Sequence, residues 1–242
     1  MKEITPVDVL AIGAHPDDVE LGCSGTLIKS IQQGLKVGIC DLTRGELGTR
    51  GSAPLRLQEA EEARKIIGAE FRVNLSMADG FFEVSEQNKR LIIEVIRAAK
   101  PKIVFLNAPS DRHPDHGRGA QLQKDACFLS GLRKVETVVD GKVQEPFRPT
   151  LMVHYIQDRL LEPSFIVDIT KQWDKKMEAI LAFSSQFYNP DSNEPPSAIS
   201  SKEFIDLQEG RALHMGRLIQ TRYGEGFVTE RPIGINGLSD LL

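Results

Sequence analysis

Two short loops loaded with imidazole and carboxylate set the strongest constraint on this chain. The first is Ala14-His15-Pro16-Asp17-Asp18-Val19-Glu20, and the second is His113-Pro114-Asp115-His116. Each follows an apolar run rich in β-branched residues, 7–12 and 103–106, and each leads into residues whose apolar positions recur at helical spacing. A proline in a first turn and acids near a helix start are ordinary features, favoured by proline's fixed φ and by the helix dipole. Those preferences account for Pro16, Asp17 and Asp18. They do not call for His15, and they do not account for a second copy of the pattern. The carboxyl end of a strand is where an open α/β sheet places its ligands.

The rest of the chain alternates in the same way. Residues 37–42, 71–75, 151–155 and 165–169 read as further strands. Residues 21–33, 54–67, 85–99, 114 to about 132, 170–185 and 202–219 read as helices, and 135–149 as a hairpin-like excursion turning at Asp140-Gly141. This alternation predicts an α/β fold: a Rossmann-like doubly wound, mostly parallel sheet with helices on both faces. One domain over residues 1–242 is expected, with a C-terminal elaboration. In the commonest doubly wound order, strands one and four are neighbours at the point where the winding reverses. That order brings the two histidine loops together.

Composition narrows the function classes. With 40% apolar residues over 242 positions the chain can bury one substantial core, and a net charge of −4 argues against a nucleic-acid partner. Cys23, Cys40 and Cys127 are widely spaced with no CxxC pair, which suits buried thiols in a reducing compartment. No signal-like apolar segment opens the chain and no run reaches membrane-spanning length, so a soluble, cytoplasmic protein with no membrane partner is expected. Self-association is left open. His15-Pro16 occupies the turn where a G-x-G-x-x-G loop would approach a pyrophosphate, which argues against a dinucleotide-dependent oxidoreductase.

The chemistry that remains is metal chemistry. A catalytic zinc site takes three protein ligands from histidine and carboxylate and keeps one position open. His15 and Asp18 are three apart across a first helical turn, so their side chains can converge, and one histidine of the second loop completes the set. Asp17 could then accept a proton from water, and the remaining histidine could face the substrate as acid or oxyanion stabiliser. A module that binds metal or sugar without turnover is the competing reading, and acetate release separates the two.

Residues Ala14 to Thr26, the loop Thr43-Arg44-Gly45-Glu46-Leu47-Gly48-Thr49-Arg50-Gly51 and the His113–His116 cluster resemble the PIG-L/LmbE family of zinc-dependent N-acetylglucosaminyl deacetylases. Within it, the chain most resembles the deacetylases of bacillithiol biosynthesis, which act on N-acetylglucosaminyl malate. The resemblance implies one Zn2+ per chain, with Fe2+ able to substitute, on His15, Asp18 and His116. It implies Asp17 as general base, His113 as partner to the carbonyl oxygen or leaving amine, and Asp115 as the group that orients a histidine. Some relatives carry a tyrosine two positions before the His113 equivalent. Asp111 stands there in this chain, so that tyrosine's role does not carry over.

A small-molecule sugar substrate follows from the same resemblance, either the malate glycoside or another N-acylated amino sugar. Arg56 and Arg112 lie beside the two site loops and could grip an anionic aglycone, and Glu46 could contact sugar hydroxyls. Arg44 and Arg50 are weaker candidates. His154 and His214 read as structural histidines and Trp173 as packing. Glu225, in the tail 223–227, has no role that the sequence assigns.

Overall fold

Strand β1 (Val9–Gly13) is buried along its whole length, and its alternate residues feed two separate cores. Leu10 and Ile12 join one apolar cluster with residues of helices α3 (Glu86–Ala99) and α4 (Pro114–Leu129). Val9 and Ala11 join another with residues of α1 (Asp18–Gln32) and α5 (Trp173–Leu181). A strand buried on both faces reads as a continuous apolar run, and helices on both sides of the sheet are what bury it. The computed structural model describes residues 4–238.

The strands in chain order are β1, β2 (Val37–Thr43), β3 (Phe71–Met77), β4 (Ile103–Leu106), β5 (Val138–Val139), β6 (Lys142–Val143), β7 (Leu151–Tyr155), β8 (Phe165–Asp168) and β9 (Gly224–Thr229). Seven of them form one sheet in the order β3-β2-β1-β4-β7-β9-β8. All neighbouring pairs from β3 to β7 are parallel, and β9 enters antiparallel to both β7 and β8. The doubly wound, mostly parallel sheet expected from the alternation is therefore present. β1 and β4 are neighbours, with Val9 opposite Ile103 and Ala11 opposite Phe105. β5 and β6 form the separate hairpin, with Asp140 and Gly141 both at positive φ as a tight two-residue turn requires.

Local chemistry starts and stops the helices. Helix α2 (Ala53–Ile67) is capped by the Ser52 hydroxyl, carries a proline in its first turn, and ends at Gly68 with φ 89°. Ser85 caps α3, and Ser201 caps α6 (Lys202–Leu218). A 3-10 turn, Thr170–Gln172, leads into α5, which stops at Leu181, short of the Ser185 that the pattern suggests. The three cysteines are buried and free, and no helix among the described residues is long and apolar enough to cross a membrane.

The tail is where the sequence reading fell short. Residues 223–227 carry no apolar alternation, yet all but the first belong to strand β9, wedged between β7 and β8. A Cβ at Gly224 would stand 2.8 Å from Ile166 and 3.0 Å from the backbone of Met215, so glycine is what lets this strand lie against α6. Glu225 does not line the site. It is buried, paired with Lys176 at 2.7 Å, and accepts from the amides of Gly25 and Thr26 in α1. His154 is structural as expected, with Nδ1 at 2.7 Å from the Asn107 carbonyl.

Candidate active site

The loops after β1 and β4 meet because those strands are adjacent at the reversal of the sheet. His15, Asp17 and Asp18 come from the first loop, and Asn107, Asp111, His113, Asp115 and His116 from the second. The loops after β2, β3 and β7 close around them, and His15, Asp17, Asp18, His113 and His116 line a cavity of about 510 Å³.

Three donors converge on its floor. Asp18 Oδ1 lies 3.1 Å from His116 Nε2, and Asp18 Oδ2 lies 3.7 Å from His15 Nδ1. The other nitrogen of each ring is held by carboxylates. His15 Nε2 is 3.1 Å from Asp79 and 3.3 Å from Asp115, and His116 Nδ1 is bonded to Asp111. Fixing the far nitrogen on a carboxylate sets the tautomer and aim of a metal-ligating imidazole. Asp18 is itself oriented by Asn107 Nδ2 at 2.9 Å and Gln157 Nε2 at 2.9 Å.

Charge balance gives the same answer. Burial favours a neutral imidazole at His15, yet Asp115 and Asp79 push its pKa up to about 10. At His116, burial is outweighed by Asp18 and Asp111, which push its pKa up to about 9. Burial would raise Asp18, but His116 and His15 hold its carboxyl well below the usual range. Four carboxylates surround the two imidazoles and favour positive charge there, whether as protons on the rings or as a cation. Nitrogen and oxygen donors of this kind suit a divalent cation of borderline character. The three imidazoles His15, His113 and His116 bring ring nitrogens within 4.8 Å of one another, with Asp18 in contact with the first and third. Asp79 and Asp115 make a second group with His15, but Leu47 N, Gly80 N and Arg118 already occupy their oxygens. They read as the clamp on His15.

Asp17 and His113 flank the cluster. Asp17 sits at φ 119°, a conformation that costs a non-glycine residue of order 1–3 kcal/mol and that persists where the surroundings enforce it. Its carboxyl is buried, which raises its pKa, while Arg56 pulls it back through a 2.6 Å bond to Oδ2. His113 caps α4: its Nδ1 accepts from the Asp115 amide at 3.2 Å. With Nδ1 an acceptor, the neutral ring carries its proton on Nε2. Burial and the neighbouring imidazoles His15 and His116 also lower the His113 pKa.

The expected substrate residues fare unequally. Arg56 lines the cavity, but Nε donates to Pro16 O, Nη1 to Gly45 O and Nη2 to Asp17. Its fork is taken inside the protein, which makes it the counter-ion of Asp17 rather than a grip on an aglycone. A Cβ at Gly45 would lie 2.2 Å from Arg56 Nη1, so the glycine loop leaves room for that guanidinium. Arg112 stands at the mouth, half-exposed, its Nε bonded to Asp158 at 3.0 Å. Glu46 is exposed and accepts from the Asp79 amide at 3.1 Å, so it shapes the β3 loop. The histidine that Asp115 contacts is His15, at 3.3 Å from Nε2. Arg50 is buried, with Nη2 donating to Ser192.

The sequence reading missed Asp79, Asn107, Gln157 and the partnership of Asp111 with His116. Asp79 alone had a signal, as the Asp of an Asp-Gly pair beyond the third strand. Asn107 and Gln157 are ordinary amides whose roles exist only across the sheet.

The pattern of the PIG-L family, described as GlcNAc-PI de-N-acetylase, matches residues 10–127, which carry both histidine loops. The chain is also 34% identical to the conserved protein TT1542 of Thermus thermophilus, a solved structure superposing at a TM-score of 0.84 over 95% of this chain and 97% of that one. The chain belongs to the PIG-L family. Diacetylchitobiose deacetylase of Thermococcus kodakarensis is 28% identical to this PIG-L protein over 232 residues, 90% of this chain and 81% of that protein. A Bacillus anthracis protein named probable N-acetyl-alpha-D-glucosaminyl L-malate deacetylase 2 is 26% identical over 196 residues, 74% of this chain and 81% of that one. The similarity is thus no stronger toward the bacillithiol branch than toward a chitobiose deacetylase. Family and relatives together make the chain an amide-hydrolysing enzyme of the deacetylase class.

Proposed function

We propose that this enzyme removes the acetyl group from an N-acetylglucosaminide, with one divalent cation, zinc in the first instance, held by His15, Asp18 and His116. The observation that carries this reading is the convergence of those three donors beside a buried, strained Asp17 at the floor of the cavity. Once bound, the cation supplies Lewis-acid polarisation and makes water a stronger acid at neutral pH.

The chain's own residues do the rest. Arg56 holds Asp17 Oδ2 and leaves Oδ1 to take a proton from the attacking water and return it to the departing amine nitrogen. His113 presents Nε2–H to the acetamide oxygen and stabilises the negative charge that develops there. Asp79, Asp115 and Asp111 keep His15 and His116 in register. The products are acetate and the free amino sugar.

We further propose N-acetylglucosaminyl malate as substrate, with N,N'-diacetylchitobiose as the alternative. A cavity of about 510 Å³ falls in the range of sites that enclose drug-sized ligands and exceeds the needs of an acetamide alone. Acetate release by metal-loaded enzyme is to be compared across N-acetylglucosamine, its methyl glycoside, diacetylchitobiose and the malate glycoside. The highest kcat/KM is expected for the malate glycoside. Equal rates on the malate and methyl glycosides would remove the malate assignment, and no acetate from any substrate would leave a binding module.

A further inference from the structure

Helix α6 brings a second set of polar groups to the cavity. Phe204, Gln208 and Arg211 stand at i, i+4 and i+7, so they share one face of the helix, and all three line the cavity. Gln208 is 7% exposed; its amide makes no hydrogen bond among the described residues and is not one of the fully buried polar groups, so it stays open to the cavity. Arg211 is part-buried, and its guanidinium has no hydrogen bond or ion pair there either. The other two arginines of the cavity wall are both engaged, Arg56 by Asp17 and Arg112 by Asp158.

An amide and a guanidinium that face a cavity without protein partners are available to a ligand, and a charge-assisted hydrogen bond made there is stronger than one between neutral groups. Burial lowers the pKa of Arg211 from its ordinary value, against the pull of Asp158 and Asp111, neither of which is in bonding contact with it. Ile156, Ile199 and Phe204 line the same cavity and reduce the local dielectric, which strengthens any charge pairing made there. Arg211 offers a fork matched to a pair of anionic oxygens, and Gln208 offers one donor pair and one acceptor.

We infer that Gln208 and Arg211 form the subsite for the group attached to the sugar, with Arg211 pairing an anionic oxygen group, carboxylate or phosphate, on that aglycone. This rests on the deacetylase reading above and moves aglycone recognition from Arg56 and Arg112 to α6.

Binding is measured by calorimetry on metal-loaded enzyme in an Asp17→Asn background, so that no probe turns over. Three probes share the same sugar: its neutral methyl glycoside, N-acetylglucosamine 1-phosphate and N-acetylglucosaminyl malate. Arg211→Gln should weaken the anionic probes roughly 10- to 100-fold, the loss of a charge-assisted contact, and the neutral one less than about twofold. The anion that loses more identifies the natural group. Arg211→Lys should restore part of the phosphate affinity and less of the carboxylate affinity, because lysine supplies charge without the fork. Equal loss on all three probes, no loss on any, or full recovery by lysine on both anions would overturn the assignment. The two readings fail separately. Wild-type enzyme that releases no acetate but keeps the Arg211-dependent preference for anions loses the deacetylase reading alone. Wild-type enzyme that deacetylates with no such preference loses the subsite alone.

Discussion

Replacing Arg72 tests how the sheet supports the catalytic helix. Arg72 lies on β3 with its side chain 4% exposed, between Glu20 in the first turn of α1 and Asp41 on β2. Nη1 is 2.6 Å from Glu20 Oε1, while Nε and Nη2 reach the two oxygens of Asp41 at 2.7 and 2.8 Å. Arg72→Met keeps a similar apolar stem and strands two buried carboxylates. Breaking a buried pair by removing one partner costs about 3–5 kcal/mol, because the remaining charge has no compensation. At about 2–4 °C per kcal/mol for a chain of this size, the melting temperature should fall by roughly 6–20 °C. Urea melts followed by circular dichroism, with chelator in every sample, should show a lower midpoint at unchanged slope. The triple variant Arg72→Met, Glu20→Met, Asp41→Leu should recover much of the loss, since it leaves no buried charge. A single variant within about 1 kcal/mol of wild type would refute the reasoning. So would a triple variant no better than the single one.

Three further outcomes are expected. His15→Ala and His116→Ala should lose bound metal, and Asp111→Asn should weaken it by about 10- to 100-fold through loss of the carboxylate on His116; full occupancy by elemental analysis in both alanine variants would sink the ligand set. Asp17→Asn and His113→Ala should keep the metal while losing turnover, the latter by about 2–4 kcal/mol in activation free energy, and metal loss in His113→Ala with retention in His116→Ala would exchange the two histidines. Gly22→Ala places a Cβ 2.3 Å from the Tyr155 ring, whose hydroxyl donates to Ile12 O at 2.9 Å, so it should cost at least about 1–3 kcal/mol by overpacking, and a thermal melt unchanged from wild type would contradict the close approach of α1 to β7.

Much of the site is legible in the sequence because its chemistry is local. Histidine and aspartate at two strand ends specify donor types, but His15 precedes α1, which begins at Asp18, so the two side chains meet through the turn at Asp17 and not through helical spacing. The sheet is legible for a similar reason: β-branched runs alternating with helical ones leave few ways to bury both faces of β1. What the tertiary structure decided are the pairings between distant segments. Asp79 reaches His15 across 64 residues, and Arg56 reaches Asp17 across 39. Neither follows from side-chain type, because a surface arginine and a buried counter-ion look alike in a sequence. Strand β9 escaped notice because its glycines answer to the bulk of Met215 and Ile166, and Glu225 because its partner Lys176 sits on another helix. Gln208 and Arg211 belong to an ordinary amphipathic helix in the sequence, and only the fold brings that face of α6 to the cavity wall. Burial is a property of the assembled chain, and it is burial that turns ordinary polar residues into a site.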